Sequence, residues 1–383
     1  MKKEKMIFDL LNAKKINGLI FFRPDELVMA FGYRPYWGIS VGVYYSSGEK
    51  VLYIPDIEPK DYLPKSTTIK EFPWSTKEDA FRILYNLIGE DLKNCNNNNI
   101  SFIKSIGRST TPILSGEYPP LPEDFIEGIM AIGNFINIEN DIINLYSFKD
   151  ENDIAGLRLC HKVVKKGIDA FYENLKAGNS ECYVAAQMEF AIRCAMEDEG
   201  VTNARGYAQV QSGINSSYGA KFNLPTNKKL EHGEFVLTEF AVVVNGYWAD
   251  ITRTAIVGSA TEKQRELFNA LKSAQENAIK NIKPNVKMSE IYNIAYNSLA
   301  KHNLEKYFPH ALGHGVGFRY HDPYGNITKN STEVLKTGMV VTIEPGIYHE
   351  SFGGIRIEDN ILVTNNGYEN LSLYNKGVTN ENK

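Results

Sequence analysis

Four cysteines in 383 residues, at positions 95, 160, 182 and 194, are too few and too irregularly spaced for a disulfide framework or a paired-thiolate metal site. They read as free thiols in a reducing cytoplasm. No apolar run is long enough to cross a bilayer, which takes roughly 20 residues. Residues 1–6 start basic, but charge recurs before any long apolar stretch, so neither a secretory leader nor a membrane partner is expected. Excess positive charge is also missing: the net charge is −4 and the pI near 6.1, which leaves no basic footprint for nucleic acid. No tandem repeat is visible. The length, in contrast, suffices for two domains with sizeable cores.

The two halves read differently. Residues 1–145 alternate helix and strand signals: a lysine-rich amphipathic start, then strands at 17–22, 40–45 and 51–55, an Asn-rich loop from Asn94 to Asn99, and a strand from Ile100 to Ile106. This half carries no ligand cluster and reads as an α/β domain. The boundary falls near 144–150, after which Ile154, Leu157, Cys160, Val164, Ile168 and Phe171 mark the buried stripe of a helix. Residues 146–383 then predict a helix from about Ser180 to Glu199 and a helix opened by the capping box Thr261–Gln264 and ended at Pro284-Asn285. A further helix is predicted from Ser289 to His302.

Between these helices lies a hairpin. Residues 235–244 and 247–257 are β-rich and flank Asn245-Gly246, a strong two-residue turn signal. If Val244 faces Tyr247, Glu239 faces Thr252 and Asp250 faces Ala241. Residues 239 and 241 share a face. Glu239 and Asp250 are then diagonal neighbours with Cβ atoms roughly 7–8 Å apart, a gap suited to carboxylates gripping metals about 3.5–4 Å apart. The competing reading is a solvated strand face.

Further candidates follow in order. Residues 339–343 form an apolar strand ending on Glu344, with Pro345-Gly346 stopping the ladder. Residues 353–363 alternate, so Arg356 and Glu358 project from one face. Of the seven histidines, His302, His310, His314, His321 and His349 fall in the last third. His314, flanked by glycines that allow close backbone approach, is the best ligand candidate. One neutral imidazole among four carboxylates suits Mn, Co, Zn or Fe at a hydrolytic centre. His310 and His321 are placed as donors to substrate or to a developing oxyanion. His302 is expected at a helix end, His161 and His232 at the surface, and His349 stays open.

Together these strings resemble the M24 metallopeptidases, the family of methionine aminopeptidase, Xaa-Pro aminopeptidase, prolidase and creatinase. The resemblance rests on residues 249–254 (Ala-Asp-Ile-Thr-Arg-Thr), 309–317 (Pro-His-Ala-Leu-Gly-His-Gly-Val-Gly), 341–348 (Val-Thr-Ile-Glu-Pro-Gly-Ile-Tyr) and 354–359 (Gly-Ile-Arg-Ile-Glu-Asp), which look most like the prolidase and Xaa-Pro aminopeptidase branch. It implies a creatinase-type α/β domain over residues 1–145 and an α+β pita-bread catalytic domain over 146–383, with helices backing a curved antiparallel sheet. It also implies a homodimer and one or two divalent ions on Glu239, Asp250, His314, Glu344 and Glu358. The implied activity is hydrolysis of the bond before proline in small peptides. Glu344 would take a proton from the attacking water, His321 would stabilise the tetrahedral intermediate, and His310 and Arg356 would orient substrate and ligands.

Two departures stand out. The family has Asp where this chain has Glu239, which predicts a weak or absent second metal beside it. The family's further active-site histidine, upstream of the hairpin, is missing, since none lies between His161 and His232; Lys221 or Tyr218 is the candidate substitute. A creatinase-like non-peptide C–N hydrolase and a binding module on an inactive scaffold are the alternative functions.

Overall fold

The β-branched and aromatic runs of the N-terminal half pair into one mixed sheet. β1 (Gly18–Phe21), β2 (Val41–Tyr45), β3 (Lys50–Pro55), β4 (Thr68–Phe72), β5 (Asn99–Ser101) and β6 (Asn134–Phe135) lie in the order β4-β3-β2-β1-β5-β6. β1 to β3 form an antiparallel meander, and the outer pairings are parallel. Helices α1 (Lys3–Lys14), α2 (Pro24–Phe31), α3 (Lys77–Leu92), α4 (Glu123–Ala131) and α5 (Glu139–Tyr146) accompany it. Ile20, Val43, Tyr45 and Tyr53 of the sheet pack with Leu84 and Ile88 of α3 and Phe125 and Ile129 of α4, the strand period of 2 meeting the helix period of 3.6 across one core. The computed structural model describes residues 3–74, 77–95, 97–103, 121–221 and 224–379. The strand expected over 100–106 is therefore seen only as β5, and its residues 104–106 lie outside the described residues.

The chain divides into two compact units, Met1–Asp153 and Ile154–Lys383. The second unit is built from α6 (Glu151–Asn174), α7 (Glu181–Cys194), α8 (Glu262–Lys280) and α9 (Met288–Ala300), with strands β7 (Ala204–Ser212), β8 (Phe235–Val244), β9 (Tyr247–Ile256), β10 (Val340–Ile343), β11 (Gly346–His349), β12 (Gly353–Arg356), β13 (Asp359–Thr364) and β14 (Gly367–Asn370). Of the predicted stripe on α6, Leu157, Cys160, Val164, Ile168 and Phe171 are buried and Ile154 is half-buried. Thr261 caps α8 through the reciprocal box with Gln264. α7 stops at Cys194, and the remaining predicted turn tightens into a 3-10 segment, Ala195–Glu197. Among the described residues no helix is long and apolar enough to cross a membrane.

The strands of this unit form three antiparallel ladders, β7-β8-β9, β10-β13-β14 and β11-β12. The segment 353–363, expected as one continuous strand, is broken between Arg356 and Asp359. The partner segment breaks at the same level, because the last β10/β13 pair is Ile343 with Asp359 and the first β11/β12 pair is Gly346 with Arg356. Glu344-Pro345 and Ile357-Glu358 thus face each other without ladder bonds. Pro345 has no N–H to give, and the neighbouring N–H groups turn elsewhere: Glu344 donates to the Leu312 carbonyl at 2.8 Å and Glu358 to the Thr252 carbonyl at 3.1 Å. The Asn360 side chain spans the gap to β9, accepting from the Asp250 N–H at 3.2 Å and donating to the Asp250 carbonyl at 2.6 Å. A side-chain amide here does the work of a missing ladder rung.

Candidate active site

The Asn245-Gly246 turn sets the hairpin register that the sequence predicts: Val244 pairs with Tyr247, Glu239 with Thr252 and Ala241 with Asp250. Asn245 and Gly246 both have positive φ, 51° and 92°, as a tight hairpin turn of this kind requires. Every residue of β8 and β9 is buried, so the solvated-face reading of Glu239 and Asp250 does not hold. The break between ladders delivers Glu344 and Glu358 to the same place. His314 arrives on a loop tied to β10 by the bridge between Gly315 and Val341. At Gly313 a Cβ would collide with the Thr342 carbonyl, so only glycine lets this loop approach β10 closely enough.

Ligand-type atoms of Asp250, His314 and His321, of His314, Glu344 and Glu358, and of Glu239, Asp250 and Glu358 form three groups, each within 4.8 Å. His314 Nδ1 lies 2.9 Å from the Gly315 carbonyl, which assigns the proton to Nδ1 and leaves a lone pair on Nε2. Nε2 stands 3.2 Å from Asp250 Oδ2 and 3.4 Å from Glu344 Oε1. Burial holds this imidazole neutral by lowering its pKa to about 4. An imidazole nitrogen and two carboxylate oxygens, all able to act as ligands, therefore converge. Asp250 Oδ1 and Glu358 Oε1, both buried, also lack a hydrogen-bond partner. Oxygen and imidazole acceptors left without donors suit a divalent cation.

The surrounding electrostatics follow from crowding four carboxylates into a buried site. Burial, with Glu358 and Glu239 close by, raises the Asp250 pKa well above its ordinary value. Burial likewise raises Glu358, with Glu344 and Glu239 adding to it. Glu344 is pushed up to about 8, by burial first and with Arg356 opposing. Glu239 goes the other way. Burial alone would raise it, but Arg356, with Asp250, Tyr320 and Thr252, pulls it down to about 2.

His321 stacks on His314, and its Nε2 lies 3.8 Å from Asp250 Oδ2 with the side chain 25% exposed. His310 sits differently. Its Nδ1 is 2.7 Å from the Ala311 carbonyl and its Nε2 is 3.0 Å from the Tyr348 hydroxyl, so both ring nitrogens are engaged within the protein. Arg356 forms an ion pair with Glu239 and donates to the Tyr348 hydroxyl at 2.7 Å, to Thr252 Oγ1 at 2.9 Å and to the Gly219 carbonyl at 3.0 Å. Tyr320 donates to Glu239 Oε1.

Sequence reasoning passed over Tyr320, Tyr348, Thr252 and Thr342. The last of these accepts the His314 N–H at 3.1 Å and donates to Glu344 at 3.3 Å. Tyr218, the suggested stand-in for the missing histidine, is 40% exposed and donates to Glu350 at 3.0 Å. The side chain of Lys221 lies outside the described residues. His302 follows α9 and His232 is exposed, as expected, and exposed His349 bonds Ser351 at 2.7 Å. His161 is a correction. It is buried rather than at the surface, because on a helix it shares the face of Leu157 and Val164.

Sequence and structure comparisons identify the family. A Xaa-Pro dipeptidase of Pyrococcus horikoshii is 28% identical over 375 residues, covering 97% of each chain. The crystal structure of the prolidase from Pyrococcus horikoshii superposes with a TM-score of 0.77 at 26% identity, over 98% of this chain and 99% of that one. The prolidase from Pyrococcus furiosus gives 0.74 at 27% identity, over 96% and 99%. The family pattern of the M24 metallopeptidases matches residues 155–365, the stretch that contains every group gathered around His314. With more than half its length matched, the chain belongs to metallopeptidase family M24 and has that family's pita-bread fold.

Proposed function

We propose that this chain is a metal-dependent Xaa-Pro dipeptidase, acting on small peptides with proline in the second position. The observation that carries the reading is the convergence of His314 Nε2, Asp250 Oδ2 and Glu344 Oε1 beside the unpartnered oxygens of Asp250 and Glu358. Full-length relatives named Xaa-Pro dipeptidase and prolidase supply the substrate class, and they disfavour a creatinase-like activity. Asp250, His314, Glu344 and Glu358 are the residues that would hold the metal. When bound, such an ion lowers the pKa of a coordinated water and polarises the scissile carbonyl.

The protein's own groups account for the proton movements. Glu344, whose carboxylate stands beside His314 in the cluster, accepts a proton from the attacking water and passes it to the leaving proline nitrogen. His321, facing the cluster from its stacked position, donates from Nε2 to the oxyanion as the carbonyl becomes tetrahedral. Arg356 acts through Glu239 and Tyr348, and His310 through Tyr348. These two are positioning residues, because the Arg356 guanidinium is spent on Glu239, Tyr348, Thr252 and Gly219 and both His310 ring nitrogens are engaged. The four cysteines carry no disulfide, which supports a cytoplasmic location, and by analogy with the family we place the protein there as a homodimer.

The decisive assay is hydrolysis of a panel of Xaa-Pro dipeptides and matched Xaa-Ala controls by protein loaded with Mn, Co, Zn or Fe. Turnover confined to the proline peptides supports the proposal. Metal retention without turnover of any of them would instead indicate a binding module.

A further inference from the structure

Glu239 belongs to the acidic cluster by position, yet its oxygens are already in use. Oε2 receives the Arg356 guanidinium and Oε1 the Tyr320 phenol, while the single Thr252 hydroxyl proton lies between Glu239 Oε2 at 2.9 Å and Glu358 Oε2 at 2.7 Å. Each of Glu239's two oxygens thus has a donor committed to it, Arg356 on one and Tyr320 on the other. These side chains are all buried, so water does not compete for these contacts. The guanidinium also carries a full positive charge on the very carboxylate that a second cation would need. Asp250 and Glu358 differ: each keeps a buried oxygen with no partner. The cluster is therefore asymmetric. One side presents free acceptors and the other a carboxylate neutralised from within the protein.

We propose that the centre holds a single metal ion, on Asp250, His314, Glu344 and Glu358, and that the Glu239–Arg356–Tyr320 group fills the place of a second ion. Glu239 is in this arrangement a counter-ion that fixes Arg356, not a ligand. Proximity of Glu239 to Asp250 and Glu358 does not contradict this, since a ligand needs an accessible lone pair as well as a short distance. Tyr320 is the residue that completes the group. Its hydroxyl takes the one Glu239 oxygen that Arg356 does not reach, and its ring lies 4.8 Å from His321 and 6.3 Å from Trp248, which holds the phenol in place.

This inference rests on the metal-centre reading above, and metal counting separates the two. Full-length protein would be stripped with a chelator, titrated with Mn(II) and dialysed, and the bound metal measured by mass spectrometry alongside the electron paramagnetic resonance spectrum. One ion per chain with the spectrum of an isolated Mn(II) is expected. Two ions per chain with an exchange-coupled spectrum overturn the single-ion proposal while leaving the metal centre intact, and no retained metal overturns both. Glu239→Gln, which removes the charge a ligand would need and keeps a single acceptor oxygen for Arg356 or Tyr320, is expected to retain one ion per chain. Loss of that ion from folded Glu239→Gln protein would make Glu239 a ligand and end the proposal.

Discussion

The imidazoles of His314 and His321 stack with ring centroids 3.5 Å apart and planes inclined by 18°. The pairing keeps one histidine for the ligand cluster and sets the other over its edge. His321→Ala is expected to lower kcat by roughly 10²–10³, the usual cost of one oxyanion donor, with metal content unchanged. His321→Phe, which preserves a ring for stacking but not a donor, should lose as much. A normal kcat in the Phe variant would show that stacking alone matters.

Metal retention depends on different residues. His314→Ala removes the imidazole nitrogen assigned to the metal and leaves the carboxylates facing each other. Metal bound after dialysis, read by mass spectrometry, should fall to a small fraction of the wild-type content. Asp250→Asn should behave similarly, because it removes the charge nearest His314 Nε2. Wild-type content in both variants would overturn the assignment.

Behind the site, Arg253 pairs with Asp359 at 2.9 Å with both side chains essentially inaccessible. Arg253 also donates to the Glu358 carbonyl, and to the Thr252 carbonyl at 2.9 Å, so it braces β9 against the broken strand. Truncating one partner strands the other's charge. Asp359→Ala should cost about 3–5 kcal/mol in urea unfolding, whereas a loss below about 1 kcal/mol would mean that Lys376, the other cation on Asp359, suffices alone.

Acid stability should carry the mark of His161. Burial lowers its folded pKa to about 3, against an ordinary value of 6.5. The unfolded chain binds the extra proton between these limits, so this contribution is complete above pH 6.5 and is lost as pH falls toward 3, by up to about 1.4 kcal/mol per pH unit. Urea midpoints measured across that window should show it. The ring's Nδ1 lies 2.6 Å from the Tyr374 hydroxyl, which itself donates to the His161 carbonyl at 2.9 Å. His161→Asn supplies an amide donor in a similar place without titrating, and should flatten the slope.

The hairpin was legible because Asn245-Gly246 fixes its turn and a period of two then assigns every partner. The clustering of His314, Glu344 and Glu358 was legible from Gly and Pro punctuation around isolated polar residues. What the sequence hid was long-range. The break between Arg356 and Asp359 depends on a matching break at Glu344-Pro345, and alternation within one segment carries no information about its partner. Tyr320 and Tyr348 sit in apolar surroundings where an aromatic reads as core, and only the fold shows their hydroxyls meeting Glu239 and Arg356. His161 was misjudged for want of weighing its helical phase against Leu157 and Val164.

The facing two-residue gaps, Glu344-Pro345 and Ile357-Glu358, also act as a reading frame. Each gap is flanked by ladders that must restart in phase, so its length is constrained along with its one carboxylate. Ile357 and Pro345 should tolerate exchange for residues of similar bulk. Deleting a single residue from either gap would rotate everything downstream by one side-chain step, turning Asp359 out and Asn360 in or withdrawing a carboxylate from the cluster. In a chain this divergent from its relatives, insertions and deletions should therefore be absent from these two gaps even where substitutions accumulate around them.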